Sequence, residues 1–141
     1  MMISAKSRYA LRVMVDLAQH NSEEFIPVKE IAARQGISLK YLESIMTVLT
    51  KGRMLESASG KGGGYRLTRK PEEYTVGSIL RLAEGPLSPV TCLDTCPNSC
   101  RRSADCRTLP MWRSFSKLVN RYFDEITLAD LLQPTFHEPK L

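Results

Sequence analysis

Apolar side chains recur at helical steps through Tyr9, Leu11, Val13, Met14, Leu17 and Ala18, with Lys6, Arg8, Arg12 and Asp16 set between them. With Ser4 ahead of the run as an N-cap, this predicts an amphipathic first helix whose charged residues face solvent. His20 to Glu24 is polar and predicts a loop, and Phe25-Ile26-Pro27-Val28 predicts a brief edge strand, where Pro27 is tolerated. A second helix is predicted from Lys29 to Gln35, carrying Ile31 and Ala32 and stopped by Gly36. After a buried Ile37, Ser38 caps a third helix running to about Lys51. Its Leu42, Ile45, Met46 and Leu49 form one face, while Lys40, Tyr41, Ser44 and Thr47 look outward. Met54 to Ala58 and Tyr65 to Thr68 bracket Ser59-Gly-Lys-Gly-Gly-Gly64, the pattern of a β-hairpin. Pro71 to Tyr74 reads as a linker, Thr75 caps a helix from Val76 to Glu84, and Gly85-Pro-Leu-Ser-Pro89 ends regular structure. Beyond it Leu109, Trp112, Phe115, Leu118, Val119, Tyr122, Phe123 and Ile126 step by three and four, the stripe of a four- to five-turn helix. A stripe this aromatic must be buried. Thr127 to Asp130 has capping-box form and starts a short last helix through Leu132, leaving 134–141 as a frayed tail.

Helix, glycine turn, helix and hairpin, in that order, define a mainly α fold with a small β-hairpin wing: a winged helix-turn-helix head followed by a long C-terminal dimerisation helix. The expected division is a head over 1–85, a cysteine-rich loop over 86–108, the dimerisation helix and final short helix over 109–133, and the tail. At 141 residues the chain affords one core with one appended helical piece. An aromatic helix lying past a complete head is most economically a symmetric seam, with Trp112, Phe115, Leu118, Val119, Tyr122 and Phe123 at the interface of a homodimer.

Charge sharpens this reading. Lys40, Lys51, Arg53, Lys61, Arg66, Arg69 and Lys70 against Glu43 and Glu56 carry the whole net charge of +5, and the rest of the chain balances. Such a local excess is the footprint of a polyanion binder, and it falls on the third helix and the hairpin. The expected DNA contacts are Ser38, Lys40, Tyr41, Ser44 and Lys51 from the helix, and Lys61, Gly62, Gly63 and Arg66 from the wing. A P-loop is excluded, because the glycines precede a strand and no Gly-Lys-Ser/Thr opens a helix. The N-terminal stretch has no signal-peptide core and no apolar run spans a membrane, so no membrane partner and a cytoplasmic location are expected.

All four cysteines, Cys92, Cys96, Cys100 and Cys106, lie in TCLDTCPNSCRRSADCR. In a reducing compartment clustered thiols are metal ligands or redox sensors before they are a disulfide framework. Four thiolates suit an iron–sulfur group or tetrahedral zinc, although the intervals of three, three and five residues are not those of paired zinc knuckles, and a metal-free thiol switch stays open. Arg101, Arg102 and Arg107 are expected to depress the thiol pKa values. His20 and His137 are isolated and read as surface residues. No nucleophile with a base and no paired carboxylates stand out, so no catalytic residue is assigned and the chain is not expected to be an enzyme.

Ser4-Ala-Lys-Ser-Arg-Tyr-Ala-Leu11, Glu30-Ile-Ala32, Ile37-Ser-Leu-Lys-Tyr-Leu-Glu43 and Gly60-Lys-Gly-Gly-Gly-Tyr-Arg-Leu67 together resemble the IscR/NsrR family of winged-helix bacterial regulators, over residues 2 to about 132. The resemblance implies a homodimer that binds an inverted-repeat site on double-stranded DNA and controls transcription. It also implies an iron–sulfur cluster, 2Fe-2S or 4Fe-4S, on three cysteines, best matched by Cys92, Cys100 and Cys106, with a fourth ligand that varies between members. The histidine some members place after the last cysteine is Leu109 here, and the acidic first-helix ligand of others is Arg8. Cys96 is extra and is the candidate fourth ligand. The alternative is a DNA-binding regulator without a cluster, acting as a thiol switch, a zinc-stabilised protein or a partner-dependent repressor.

Overall fold

The computed structural model describes residues 2–20 and 23–141; Asn21 and Ser22, in the loop predicted over His20 to Glu24, lie outside them. Helix α1 (Ala5–Gln19) is capped by Ser4, whose hydroxyl accepts the Ser7 N–H. Helix α2 (Val28–Gln35) ends at Gly36, which takes the left-handed conformation at φ 63°. A Cβ there would meet nothing within 4 Å, so the conformation, not space, calls for glycine. Ser38 then caps α3 (Leu39–Lys51) by accepting the Tyr41 N–H. The hairpin pairs β1 (Leu55–Ala58) with β2 (Gly64–Leu67), Leu55 opposite Leu67 and Ala58 opposite Gly64. Helix α4 (Val76–Glu84) is capped by Thr75, and α5 (Leu109–Asp124) and α6 (Leu128–Leu131) close the chain.

One core holds the head together. Val13, Met14 and Leu17 from α1 meet Ile31 from α2, and Leu42, Ile45, Met46 and Leu49 from α3, with Leu55, Ile79 and Leu128 completing the cluster. Each such side chain contributes about 1.5–3 kcal/mol by leaving water. A second, smaller cluster joins Val76 and Leu80 of α4 to Leu87 and Ile126, with Tyr122 and Phe123 of α5 packed against it.

Three expectations are corrected. Asp16, expected among the solvent-facing charges of α1, is buried at 1% exposure, because Arg34 and Gln35 of α2 reach over it: Arg34 binds both carboxylate oxygens at 2.7 and 3.0 Å, and Gln35 Nε2 donates at 2.8 Å. The edge strand at Phe25 to Val28 shrinks to a single bridge between Ile26 and Tyr65, since Pro27 has no N–H with which to continue the ladder. Gly64 makes that bridge possible: a Cβ there would lie 2.1 Å from the Ile26 carbonyl oxygen. Tyr74 is not linker but is fully buried, its hydroxyl donating to Met54 O at 2.8 Å and accepting the N–H groups of Thr68 and Arg69. Within one protomer the aromatic stripe of α5 is divided. Leu109 is buried and Tyr122 and Phe123 pack on the protomer's own second cluster, whereas Phe115 and Leu118 stand 43% and 49% exposed.

The Asp16 network predicts a pH dependence. Burial pushes the Asp16 carboxyl up, but the hydrogen bonds from Arg34 and Gln35 and the Arg34 charge outweigh it and hold the group below its ordinary value. Its stabilisation is therefore complete above the unfolded value of about 3.9 and is lost as pH falls through the lower folded value. Asp16→Ala should cost about 2–3 kcal/mol in urea unfolding, less than a fully buried pair, because Arg34 can swing to solvent. Asp16→Asn should show a shallower loss of stability on acidification than the parent protein.

Candidate nucleic-acid interface and cysteine loop

The exposed face of α3 presents Lys40, Glu43, Ser44, Thr47 and Lys51. The Ser44 hydroxyl donates to Tyr41 O at 2.6 Å and that of Thr47 to Glu43 O at 2.9 Å, which leaves their lone pairs to accept from an incoming donor. Lys40, Lys51 and Lys61 form no ion pair among the described residues. Tyr41, expected to face outward, is half-buried instead, edge-on to the Tyr9 ring at 5.9 Å, so it braces α3 against α1.

The wing tip carries Lys61 between Gly60 and Gly62, both at positive φ with open space around them. Gly63 differs, since a Cβ there would lie 2.4 Å from Ala58 O; it closes the hairpin. Arg66 is likewise engaged inside the protein. Its guanidinium binds Glu56 at 2.5 Å, donates to Glu23 O and lies over the Phe25 ring at 4.2 Å, fastening the wing to the segment before α2. Sequence spacing could not reveal this, because Phe25 and Glu23 are distant in the chain.

The cysteine loop is strung between two buried anchors, Leu87 and Leu109. Cys92 sits half-buried in a 3-10 turn at Thr91–Leu93, Cys96 is exposed, and Cys100 and Cys106 are half-buried; all four are free thiols. The Asn98 side-chain oxygen accepts the Cys100 N–H at 2.8 Å, and Cys106 Sγ lies 3.4 Å from Thr108 Oγ1. Hydrogen bonds from the Thr108 side chain and backbone hold the Cys106 thiol below its ordinary pKa, while nearby Asp105 opposes the shift. The arginines expected to do this play no part in that shift. In this conformation no three His, Cys, Asp or Glu side chains among the described residues gather closely enough to share a metal ion. The donor set nonetheless fits a thiophilic group, with four soft thiols on one loop and a shielded Asn98 amide nitrogen that has no acceptor. His20 and His137 are both exposed, as expected.

The ends of the loop are wired to the helices. Asn120 of α5 donates to Leu87 O at 3.0 Å and accepts from Arg81 of α4 at 2.9 Å, and Arg81 also binds Asp124. Gly77 leaves room for Asp124, whose carboxylate a Cβ would meet at 2.1 Å. On the other side of α4, Glu84 accepts the Ser4 hydroxyl at 2.7 Å and the Ser4 N–H at 3.1 Å, and binds the buried Ser7, clamping the start of α1 where the loop begins. These bonds hold the Glu84 carboxyl below its ordinary pKa.

A helix-turn-helix with an exposed polar second helix, followed by a lysine-tipped hairpin, defines a winged helix-turn-helix transcriptional regulator that works by binding DNA. The chain belongs to the Rrf2 family, whose model, described as an iron-dependent transcriptional regulator, matches residues 3–134. It is 39% identical over 140 residues to the protein rrf2 of Nitratidesulfovibrio vulgaris, covering 99% of this chain and 93% of that one. Among solved structures it is similar to CymR, the global cysteine regulator of B. subtilis, with a TM-score of 0.79, 33% identity and 96% and 98% of the two chains covered. It is similar also to IscR of T. potens, with a TM-score of 0.73, 36% identity and 94% and 86% covered. Relatives named IscR, such as that of Aliivibrio salmonicida at 36% identity over 132 residues, are described as HTH-type transcriptional regulators. No helix among the described residues is long and apolar enough to cross a membrane.

The engagement of Arg66 predicts a split between two wing variants. Lys61→Ala should weaken DNA binding and flatten the dependence of log affinity on log salt by about 0.9 for the lost phosphate contact. Arg66→Ala should leave that slope nearly unchanged and instead lower thermal stability. Equal flattening by both, in fluorescence anisotropy titrations across salt, would restore Arg66 as a phosphate contact.

Proposed function

We propose that this protein is a dimeric repressor or activator that reads an inverted-repeat operator with α3 and the wing, its operator affinity set by an iron–sulfur group held by the cysteine loop. Cys92, Cys100 and Cys106 are the ligands in this reading, with Cys96 as the fourth. The observation that carries it is the placement of four free thiols on a segment anchored at Leu87 and Leu109, with Asn120 bonded to one anchor and to Arg81. When bound, an iron–sulfur group supplies sensitivity to iron supply, oxidants and nitric oxide through its own lability and redox chemistry. The chain's part is mechanical. Drawing the thiols together shortens the path from Leu87 to Leu109, and the Asn120, Arg81 and Asp124 contacts carry that strain to the joint between α4 and α5. The joint sets the angle between each head and the dimer axis, and hence the fit to two half-sites. A coupling of about 1–3 kcal/mol, roughly 5- to 150-fold in affinity, is the expected size.

Dimerisation rests on α5. Met111, Phe115 and Leu118 leave an apolar strip that the protomer does not cover, with Trp112 and Val119 half-buried beside it. Tyr122 and Phe123 serve the seam from behind, by fixing α5 to its own head. DNA contacts are assigned to Lys40, Ser44, Lys51, Lys61 and Gly62, with Ser38 and Tyr41 positioning the helix and Gly63 and Arg66 the wing. A second reading, a metal-free thiol switch, is favoured by the Cys106 thiol held below its ordinary pKa beside Thr108.

Two measurements test the proposal. Phe115→Asp should turn a dimer into a monomer in sedimentation velocity and abolish binding to a two-half-site operator; a wild-type monomer at micromolar concentration would refute the seam. Protein purified anaerobically should be brown and contain iron and sulfide, and Cys92→Ser, Cys100→Ser and Cys106→Ser should each lose both, because serine keeps the size without the soft thiolate. Colourless wild-type protein whose operator affinity responds to oxidant, and not to iron, would select the thiol switch.

A further inference from the structure

Asn98 occupies an unusual position between Cys96 and Cys100. Its Oδ1 accepts the Cys100 N–H at 2.8 Å, which fixes the orientation of the amide, since only oxygen can accept there. The other end of the same amide, Nδ2, is shielded from solvent and without a hydrogen-bond partner. A shielded donor left unpaired is costly, so such atoms are rare and call for an acceptor. The one other side-chain atom in this condition among the described residues, the Thr50 hydroxyl oxygen, sits on α3. In a segment whose distinguishing chemistry is four thiols, the acceptor that suits a shielded N–H is sulfur.

We propose that the Asn98 side chain donates a hydrogen bond to a sulfur of the iron–sulfur group held by the cysteine loop, as a positioning residue that is not itself a ligand. The inference rests on the cluster reading above. Its two ends do different work: the oxygen holds the Cys100 backbone, and so the approach of the Cys100 thiol, while the nitrogen meets negative charge on sulfur. A donor to sulfur stabilises the more negatively charged, reduced form and raises the reduction potential. Asn98 thereby sets how readily the group changes state at a given cellular redox poise.

The test uses the full-length protein purified anaerobically from cells. Asn98→Ser retains a hydroxyl able to accept the Cys100 N–H but lacks the amide donor, Asn98→Asp retains the acceptor and removes the donor, and Ser99→Ala is the neighbouring control. Iron and sulfide content, visible spectrum and midpoint potential by spectroelectrochemistry are the readouts. The expected result is wild-type iron and sulfide in all three variants, with a more negative potential in both Asn98 variants and an unmoved potential in Ser99→Ala. An unchanged potential in loaded Asn98→Ser overturns the inference and leaves the cluster reading standing. Loss of iron from both Asn98 variants overturns it too, showing that the residue serves only to shape the loop. Wild-type protein without iron and sulfide overturns the cluster reading and the inference together.

Discussion

The hydroxyl of Tyr74 is the point on which the DNA-reading half of the molecule depends. It donates to the carbonyl of Met54, just before β1, and accepts the N–H groups of Thr68 and Arg69, just after β2. A phenol has one proton and two lone pairs, and all three are used. Both ends of the wing are thus closed on a side chain at the doorstep of α4, and its ring lies in the same core as Leu42, Ile45 and Leu49 of α3. The angle between recognition helix and wing follows from one buried ring. The C-terminal end of the chain returns to the same place, where Leu128 N–H bonds Tyr74 O and Val76 N–H bonds Ile126 O. The last short helix is consequently part of the head's core, even though it follows α5 in sequence.

This arrangement leaves α4 as the element through which everything passes. Its first residues are tied to the strand-like return after α5, its middle to α5 through Arg81, and its last turn to the start of α1 through Glu84 and two serines. Since α1 carries Tyr9, which braces Tyr41 on α3, a displacement at the end of α4 has a continuous packed route to the recognition helix. These contacts supply only the route. Coupling along it requires that the two ends prefer different arrangements in the two states of the loop.

Much of the scaffold was legible in the sequence because its signals are local. Ser4, Ser38, Thr75 and Thr127 each cap the helix their position announces, and Gly36 stops α2 in the left-handed conformation that only glycine adopts cheaply. What spacing could not show were partnerships made across the chain. Asp16 looks like any surface charge until Arg34 and Gln35 are folded over it, and Arg66 like any wing cation until Glu56 and Phe25 claim it. Tyr74 lay in a stretch with too few apolar neighbours to establish a period. The stripe of α5 was read correctly as apolar, but periodicity cannot say which part of a wide face is used at home and which is left bare. In the cysteine loop the residue types could be read but their placement could not, because the segment adds no side chain to the main core that would set a period.

That last property reaches beyond the present chain. The segment between Leu87 and Leu109 contributes no side chain to the main core, and its two ends are held by residues outside it. The entropy of closing such a segment grows only with the logarithm of its length, about 0.6 kcal/mol per doubling, so insertions and exchanged residues there leave the folding of the head almost untouched. The loop is accordingly an interchangeable cartridge. One scaffold can carry different sequences in this stretch alone, while the anchors at Leu87 and Leu109 and the core of the head stay as they are.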